Sequence, residues 1–327
     1  MNNKNLKIGV IGVGHLGQHH VKHFKHIKNA DLIGIYDSNS DQASKISLKY
    51  KTKQFKSISD LLKKTDAISI VTPTDSHSKV AEECLNAEKH IFIEKPITTT
   101  LKQADRLIKL ANKKNVIIQV GHIERVNPAL LILKKYNVKP KFIEIQRLAP
   151  YSIRGTEVPV VLDKMIHDLD ILLSIINSPI KKIQANGISI ITDSIDIANA
   201  RIKFENNSVA NIISSRIAKE DIRKIKLFQR DLYCTIDLLL GLTEIYEVNN
   251  NFKSKSAIQV PFVYKGNKKI ITYTKPPLQK LDPLKVELIN FINAIKGFEN
   301  PIVSGKAGRD ALALAIKINK LIKRDTH

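Results

Sequence analysis

The stretch KIGVIGVGHLGQHHVKHF at residues 7–24, followed by LIGIYDS at residues 32–38, decides the fold of this chain. A run of Ile and Val ends in the motif Gly12-x-Gly14-x-x-Gly17, a helical pattern follows, and a second apolar run ends in an aspartate. That acid comes about twenty residues after the last glycine, which is the spacing of the dinucleotide-binding fingerprint. The pattern predicts a site for an NAD-type cofactor, because an ordinary glycine-rich turn between strand and helix does not need the acid.

The residues of the glycine motif have separate predicted roles. Gly12 lets the chain turn sharply off the strand, Gly14 leaves room for a pyrophosphate against bare backbone, and Gly17 lets the helix pack close to the strand. The helix N-terminus presents free N–H groups to the phosphates. His15 and Leu16 lie within the motif. We therefore expect them at the same cofactor site.

The aspartate, Asp37, bears on the choice of cofactor. A carboxylate at this position accepts hydrogen bonds from the adenosine ribose hydroxyls and repels a 2′-phosphate. The next residues, Ser38, Asn39 and Ser40, include no Arg or Lys that could hold such a phosphate. The sequence therefore favours NAD over NADP.

The composition favours a two-domain cytoplasmic protein. With 327 residues and 43% hydrophobic content, the chain can bury two ordinary cores. We expect no membrane association, because the sequence has no apolar run of about 18 residues and no secretory pattern at its start. Cys84 and Cys234 are far apart and lack metal-ligand spacing, so we expect a reduced protein without a metal.

The formal net charge of +22 raises the question of a nucleic-acid partner. The lysines are scattered over nearly every segment, and the chain is equally rich in Ile and Asn. This pattern is typical of a solvated basic surface, so we expect no nucleic-acid function. A basic surface still attracts anionic substrates, including nucleotide sugars.

Residues 1–122 are predicted to form a dinucleotide-binding Rossmann domain. Short apolar runs alternate there with helical patterns, which predicts an α/β fold with a doubly wound parallel sheet. The predicted strands are Lys7–Gly12, Leu32–Tyr36, Ala67–Val71, His90–Ile93 and Val116–Val120, and the predicted helices cover residues 15–27, 41–50, 76–88 and 100–113.

Residues 123–327 are predicted to form a second α/β domain with a mostly antiparallel open sheet, because strand-like runs follow one another between turn signals. The predicted strands are Phe142–Leu148, Lys182–Ile191, Ala198–Phe204, Val209–Ser215, Ile225–Phe228, Leu232–Leu238 and Ile270–Thr274. The predicted helices are Pro159–Ile176, Pro283–Ile295 and Ala307–Ile322.

Ligands of open α/β sheets bind beyond the carboxyl ends of the strands. Three segments follow predicted strands there, at residues 72–77, 94–96 and 121–128, and we expect them to converge on one cleft with the glycine motif. Lys95 differs from the many surface lysines because it ends a strand beside a proline. Its ammonium group could bond a substrate hydroxyl and stabilise the alkoxide that forms before hydride loss.

A second candidate site lies on the predicted helix at residues 159–176. Asp163 and His167 are four residues apart, so they share one helix face, with Asp170 a further turn on and Asp168 pointing elsewhere. An imidazole suits proton removal near neutral pH, and a carboxylate one turn away can orient it. A surface Asp–His pair is the alternative, but the apolar neighbours predict a mostly buried helix.

These motifs together resemble the Gfo/Idh/MocA family of NAD(P)-dependent oxidoreductases over essentially the whole chain. The resemblance rests on the motif Gly12–Gly17, on Thr72-Pro73 with His77, on Glu94-Lys95-Pro96, on Asp163-x-x-x-His167, and on the segment from Pro301 through Ser304 and Gly305 to Gly308. It implies a Rossmann domain at residues 1–122. It also implies a substrate-binding and oligomerisation domain at residues 123–327, whose open sheet commonly forms the interface of a homo-oligomer, a dimer or tetramer.

The resemblance also implies site residues. Lys95 and His167 would be the acid–base pair, with Asp163 in support, and which of the pair is the immediate base stays open. The implied cofactor-binding residues are Gly12, Gly14, His15, Leu16, Gly17, Asp37, Thr72, Pro73, His77, Glu94 and Lys95. The implied substrate-binding residues are Lys95, Arg125, Asn127, Arg147, Arg154, Asp163 and His167.

Two segments bear on the substrate: GHIERVNPA at residues 121–129 and RLAPYSIRGTEVPVVLDKMIHDLDIL at residues 147–172. They are most similar to family members that oxidise the C3 hydroxyl of UDP-N-acetylglucosamine, which supplies the 3-keto sugar for the diamino sugar of some lipid A. This implies a downstream aminotransferase. Arg125, Arg147 and Arg154 are the candidate cations for the diphosphate, because a guanidinium binds phosphate bidentately.

Two alternatives stay open. The first is a dehydrogenase of a free polyol or sugar such as myo-inositol, which would be indifferent to the loss of Arg154. The second is an NAD-binding regulator that uses its charge on nucleic acid. The presence of Lys95, Asp163 and His167 argues against the regulator, because a regulator has no need for an acid–base set.

Overall fold

The computed structural model describes residues 5–152, 156–250 and 258–325. The chain divides into two compact units, Met1–Ile123 with Asp282–Leu312, and Glu124–Leu281 with Ala313–His327. The first division lies one residue from the predicted boundary at 122–123. The prediction did not place residues 282–312 with the first unit. They lie there because an apolar helix face, with Leu288 and Phe291, is buried in its core.

The first unit is a parallel five-stranded sheet with the order β2-β1-β3-β4-β5, as the alternating pattern predicted. Its strands are β1 (Leu6–Ile11), β2 (Ala30–Tyr36), β3 (Ala67–Ile70), β4 (His90–Glu94) and β5 (Ile118–Gly121). Its helices are α1 (Gly17–Phe24), α2 (Ser40–Tyr50), α3 (Ile58–Leu62), α4 (Thr74–Asn86), α5 (Leu101–Lys114) and α8 (Pro283–Ile295). The sequence analysis missed α3, whose single turn begins where the Ser57 side chain accepts from the Asp60 backbone N–H.

The core of the first unit is continuous from β1 to α8. Ile8 and Val10 of β1 are fully buried and pack in one cluster with Phe92 of β4 and Phe291 of α8. The two phenyl rings meet edge to face, with centroids 5.9 Å apart. Burial of a side chain of this size contributes about 1.5–3 kcal/mol, so this cluster fixes the strands that carry the cofactor turn.

The second unit holds a nine-stranded sheet with the order β13-β14-β12-β11-β10-β6-β9-β8-β7. Only β6 and β9 pair in parallel among its neighbours, so the predicted mostly antiparallel sheet is confirmed. Its strands are β6 (Phe142–Leu148), β7 (Ile180–Ile188), β8 (Ile197–Phe204), β9 (Val209–Ser215), β10 (Ile222–Gln229), β11 (Leu232–Asp237), β12 (Leu242–Asn249), β13 (Ile258–Tyr264) and β14 (Asn267–Thr274). The sequence analysis missed β12 and β13.

Two helices belong to the second unit, α6 (Pro128–Leu131) and α7 (Ile166–Ile175), and a long helix, α9 (Gly305–Asp325), closes the chain. The predicted helical stretch over residues 159–176 is helical from Val161 to Ile175, but its first turn is not α-helical. A wide π-type turn spans Val161–Met165, and α7 follows it directly. No helix within the described residues is long and apolar enough to cross a membrane.

One face of the nine-stranded sheet carries a row of five aromatic rings on neighbouring strands, here called the aromatic row. Its members are Phe142, Phe228, Tyr233, Tyr246 and Tyr273, and successive ring centroids lie 5.8, 4.8, 5.4 and 5.0 Å apart. All five side chains are half-buried in the single chain. Aromatic pairs across strands stabilise a sheet, so the row holds five strands in register.

Candidate active site

The glycine turn between β1 and α1 is sterically defined. Gly12 has φ +85°, and a Cβ there would lie 2.6 Å from the carbonyl oxygen of Val71. A Cβ on Gly17 would lie 2.0 Å from the carbonyl oxygen of Gly12. These two glycines therefore let the chain reverse against β3 and start α1 directly, as the motif predicted.

Asp37 is held in place by backbone donors at the end of β2. Its Oδ2 accepts from the Val13 N–H at 2.7 Å, and its Oδ1 accepts from the Asn39 N–H at 2.9 Å. Asn39 in turn caps α2 by accepting from the N–H groups of Asp41 and Gln42. The carboxylate is thus tied to the glycine turn rather than free to rotate.

A cavity of about 740 Å³ opens on these elements within the first unit. Gly12, Gly14, His15, Leu16, Asp37, Thr72 and Pro73 of the predicted cofactor set line it. Asn39, Gln42, Ser76 and Lys79 also line it, and the sequence analysis did not identify them as cofactor residues. The helix α4 begins at Thr74, two residues before the predicted start, and the Ser76 Oγ in its first turn donates to Thr72 Oγ1 at 2.8 Å.

His77 links two of the predicted strand-end segments from beneath. Its Nδ1 lies 2.9 Å from the carbonyl oxygen of Pro96, and its Nε2 lies 2.9 Å from that of Thr72. Burial lowers the pKa of this imidazole, while the two carbonyl oxygens oppose the shift. His77 is buried and does not line the cavity, so its observed role is to join the Thr72-Pro73 turn to the Lys95-Pro96 turn.

Glu94 ends β4 beside Lys95 and has a buried partner on α1. Its Oε1 lies 3.1 Å from Nε2 of His20, and its Oε2 accepts from the Lys95 backbone N–H at 3.3 Å. The other ring nitrogen of His20 lies 2.9 Å from the Ser69 Oγ. Burial alone would raise the pKa of Glu94, but the contacts with His20 and Lys95 hold it below its ordinary value.

The Asp163 and His167 region lies at the junction of the π-type turn and α7. Asp163 is within the turn, His167 is the second residue of α7, and both are half-buried. Lys164 Nζ lies 3.8 Å from the Asp163 carboxylate. π-type turns are frequent at functional sites, which favours a functional role for Asp163 and His167.

Arg147 does not lie in an open phosphate site. Its Nε and Nη2 donate to the two oxygens of Asp168 at 2.8 Å each, and its Nη1 donates to Glu124 at 2.9 Å. All three side chains are buried. Burial alone would lower the pKa of the guanidinium, but the two carboxylates raise it above its ordinary value. The structure therefore does not support the predicted role of Arg147 as a phosphate ligand.

The other predicted substrate residues of the second unit differ in their surroundings. Asn127 is buried, donates to Glu124 at 3.0 Å and to the Leu238 carbonyl at 2.9 Å, and caps α6. Its amide is thereby committed to protein contacts rather than to a ligand. Arg125 is partly exposed and donates from Nε to Asp170 at 2.8 Å. Arg154 lies outside the described residues.

Comparison with known proteins identifies the family. The Gfo/Idh/MocA family model, described as an oxidoreductase family with an NAD-binding Rossmann fold, matches residues 6–122. The UDP-N-acetylglucosamine 3-dehydrogenase of Acidithiobacillus ferrooxidans is 34% identical over 97% of both chains. The chain belongs to the Gfo/Idh/MocA family. A solved structure of that A. ferrooxidans enzyme superposes with a TM-score of 0.88 over 98% of both chains at 33% identity. The myo-inositol 2-dehydrogenase of Thermotoga maritima is 26% identical over 97% of this chain and 96% of its own.

The residues at the glycine turn fit the NAD of the Gfo/Idh/MocA family. A Cβ on Gly14 would meet no protein atom within 4 Å, so the protein itself does not require this glycine and the space beside it is open to a ligand. Gly12, Gly14 and the N-terminus of α1 would hold the pyrophosphate, and Asp37 the ribose hydroxyls. Within the described residues, no group of three or more His, Cys, Asp or Glu side chains could hold a metal ion.

The sequence analysis of this Gfo/Idh/MocA protein missed His20 and Ser69. A signal was present, because His20 falls between the buried residues Gly17 and Phe24 and beside the buried Val21, so an imidazole stands on the apolar face of α1. A polar group on such a face needs a partner. Its partner Glu94 is 74 residues away along the chain, which no local pattern reveals.

Proposed function

We propose that this enzyme oxidises the C3 hydroxyl of UDP-N-acetylglucosamine to the 3-keto sugar, with hydride transfer to NAD. The observation that carries the proposal is the 34% identity, over 97% of both chains, to the A. ferrooxidans enzyme named for that reaction. The Rossmann unit supports NAD as the hydride acceptor, because the Asp37 carboxylate is held beside the glycine turn by its hydrogen bond from the Val13 N–H. NAD supplies the hydride acceptor at nicotinamide C4 when it is bound.

We assign the acid–base roles to Lys95 and His167, as the family resemblance implies. One of the two takes the proton of the C3 hydroxyl, and Lys95 also stabilises the developing alkoxide with its ammonium group. Asp163 supports His167 from the preceding turn. The position of Lys95 at the carboxyl end of β4, where Rossmann sheets bind ligands, supports its role.

The diphosphate of the substrate needs cationic partners. Arg125 is partly exposed, so its guanidinium can reach a ligand while its Nε stays on Asp170. Arg154 remains a candidate from the sequence. Arg147 is excluded from this proposal by its two buried carboxylate partners. The net charge of +22 favours the approach of a dianionic nucleotide sugar.

We place the reaction in the cytoplasm, ahead of an aminotransferase that consumes the ketone and so draws an unfavourable oxidation forward. The aminated product would serve the diamino sugar of a lipid A. The support for this placement is the relation to the nucleotide-sugar enzyme, since a 3-keto amino sugar is a substrate for transamination.

We also propose that the enzyme is a homo-oligomer, a dimer or tetramer, assembled through the sheet face that carries the aromatic row. Half-buried aromatic rings in a continuous row are typical of interface cores. Light scattering should give a multiple of 36.8 kDa for the wild type and a lower multiple for Tyr246→Glu. A monomeric wild type would contradict this part of the proposal.

Oxidation of a free polyol is the second candidate, favoured by the 26% identity to the T. maritima myo-inositol 2-dehydrogenase over nearly the whole chain. NADH appearance at 340 nm, with a hydrazine present to trap the ketone, separates the two. UDP-N-acetylglucosamine, its uronic acid and myo-inositol are offered in parallel, with Lys95→Met as the inactive control. Signal with the first substrate alone supports the proposal, signal with inositol alone overturns it in favour of the second candidate, and silence with all three overturns both.

A further inference from the structure

We propose that His20 is a positioning residue for Lys95, acting through the Glu94 carboxylate. The inference rests on the proposed dehydrogenase function of this site. His20 lies on α1, one turn after the glycine motif, and its imidazole bonds the residue that immediately precedes Lys95. The pair therefore joins the helix that would receive the pyrophosphate to the strand end that presents the proposed acid–base lysine.

The hydrogen bonds determine which ring nitrogen of His20 carries a proton. An ionised carboxylate only accepts, so the contact of Nε2 with Glu94 Oε1 at 3.1 Å requires a proton on Nε2. The neighbour of Nδ1 is the Ser69 hydroxyl at 2.9 Å, which can donate to Nδ1 of a neutral ring or accept from a charged one. In either state, His20 donates to Glu94.

The His20 bond is one of three contacts that confine the Glu94 carboxylate. A Cβ on Gly121 of β5 would lie 3.0 Å from both carboxylate oxygens, so the carboxylate lies flat on the bare glycine backbone. Its second oxygen accepts the Lys95 backbone N–H at 3.3 Å. The strands β4 and β5 and the helix α1 thus meet at one carboxylate, and the His20 side chain donates to it from α1.

The titratable groups around Glu94 come from three elements. They are His20 on α1, Lys95 at the end of β4 and His77 on α4, while Ser69 of β3 and Gly121 of β5 carry no charge. His20 and Lys95 hold the pKa of Glu94 below its ordinary value against the opposing effect of burial. Loss of His20 should therefore raise the pKa of Glu94 and release the turn before Lys95.

The test compares His20→Gln with His20→Met in the full-length enzyme. The Gln amide can replace the Nε2 donor, whereas Met fills similar space without a donor. His23→Met is the matched control, because the same replacement occurs one turn later on α1 at a residue that pairs with Asp282 instead. We expect kcat to fall about 10²-fold in His20→Met, with KM for NAD within about twofold of the wild type. We expect His20→Gln to recover at least a tenth of the wild-type kcat.

The pH profile separates positioning from simple loss of stability. In His20→Met the acid limb of kcat should move to higher pH, because an ionised Glu94 is harder to maintain. It should stay in place in His20→Gln and His23→Met. An equal fall of kcat in the Gln and Met variants, or an unmoved acid limb in the Met variant, would overturn the proposal.

A second measurement does not depend on turnover. Hydrogen exchange of the Lys95 amide, followed by NMR on the enzyme without substrate, should be at least tenfold faster in His20→Met than in the wild type and unchanged in His23→Met. Nitrogen-15 shifts should show a proton on Nε2 of His20. If the wild type oxidises no substrate, the proposed function fails. The Lys95 exchange rates and the protonation of His20 Nε2 still decide whether His20 positions Lys95 through Glu94. An unprotonated Nε2, or equal Lys95 exchange rates, would refute it.

Discussion

The buried cluster of Arg147, Asp168 and Glu124 gives the sharpest prediction about stability. Arg147→Met removes three charge-assisted hydrogen bonds of 2.8–2.9 Å. It takes the paired cation from Asp168, while Glu124 keeps Arg223 at 3.5 Å. The Asp168 and Glu124 side chains are only 1% and 8% exposed, so water cannot replace the guanidinium without opening the structure. Removal of one partner of such a cluster costs about 3–5 kcal/mol.

Urea unfolding followed by circular dichroism measures this cost. With a dependence of about 3 kcal/mol per molar urea, the transition of the second unit should move down by about 1–2 M. The control is Arg201→Met, because Arg201 is an exposed arginine on β8, two strands from β6 in the same sheet, and it donates to the Asn211 side chain at 3.2 Å. Its substitution should change the free energy of unfolding by less than about 0.5 kcal/mol.

The same variants test whether Arg147 binds phosphate. If Arg147→Met unfolded at the same urea concentration as Arg201→Met but raised KM for the nucleotide sugar tenfold, the guanidinium would be a substrate ligand. The structural assignment of Arg147 would then be refuted. Arg147→Lys adds a check, because an ammonium group keeps the charge but cannot form the bidentate contact with Asp168.

Three further predictions concern the cofactor, the proposed base and acid stability. Asp37→Ala should lower the affinity for NAD about tenfold and reduce the ratio of the affinities for NAD and NADP, as measured by fluorescence titration with NADH and NADPH. An equal loss of affinity for both cofactors would contradict the role of Asp37 in binding the ribose hydroxyls. His167→Ala should lower turnover about 10²–10⁴-fold with NAD affinity intact, measured by steady-state kinetics; normal turnover would remove His167 from the acid–base pair. Four hydrogen bonds from residues 190–192 lower the pKa of Asp196 from 3.8 to about 2 against the effect of burial. The stabilisation by ionised Asp196 is therefore complete above about pH 4 and is lost as the pH falls toward 2. The free energy of unfolding of Asp196→Asn should be about 2 kcal/mol lower than that of the wild type at pH 7, and the two should converge near pH 2. A constant difference between pH 7 and pH 2 would refute the lowered pKa of Asp196.

The cofactor turn could be predicted from sequence because its causes are local. Gly12 and Gly17 are required by atoms of the turn itself and of the adjacent strand, and the Asp37 carboxylate bonds that same turn. The spacing of these residues therefore carries most of the information. The strands of the first unit could be predicted for the same reason, since each strand has a short apolar run of its own.

The misassigned residues depend on partners that are distant in sequence. Arg147 looked like a phosphate ligand because its partners Asp168 and Glu124 stand 21 and 23 residues away. His20 of α1 was missed because its partner Glu94 lies at the end of β4, 74 residues away along the chain. The π-type turn before His167 keeps the apolar pattern of a helix, so periodicity alone could not distinguish it from a turn of α-helix.

The proposed hydride transfer from C3 of the nucleotide sugar to NAD can be followed with deuterium. The enzyme is incubated with NAD and UDP-N-acetylglucosamine deuterated at C3, with the ketone trap present, and the NADH is analysed by mass spectrometry. If hydride leaves C3, the NADH carries the deuterium and the initial rate is lower than with the unlabelled sugar. Unlabelled NADH formed in this reaction, or NADH formed from myo-inositol alone, would contradict it.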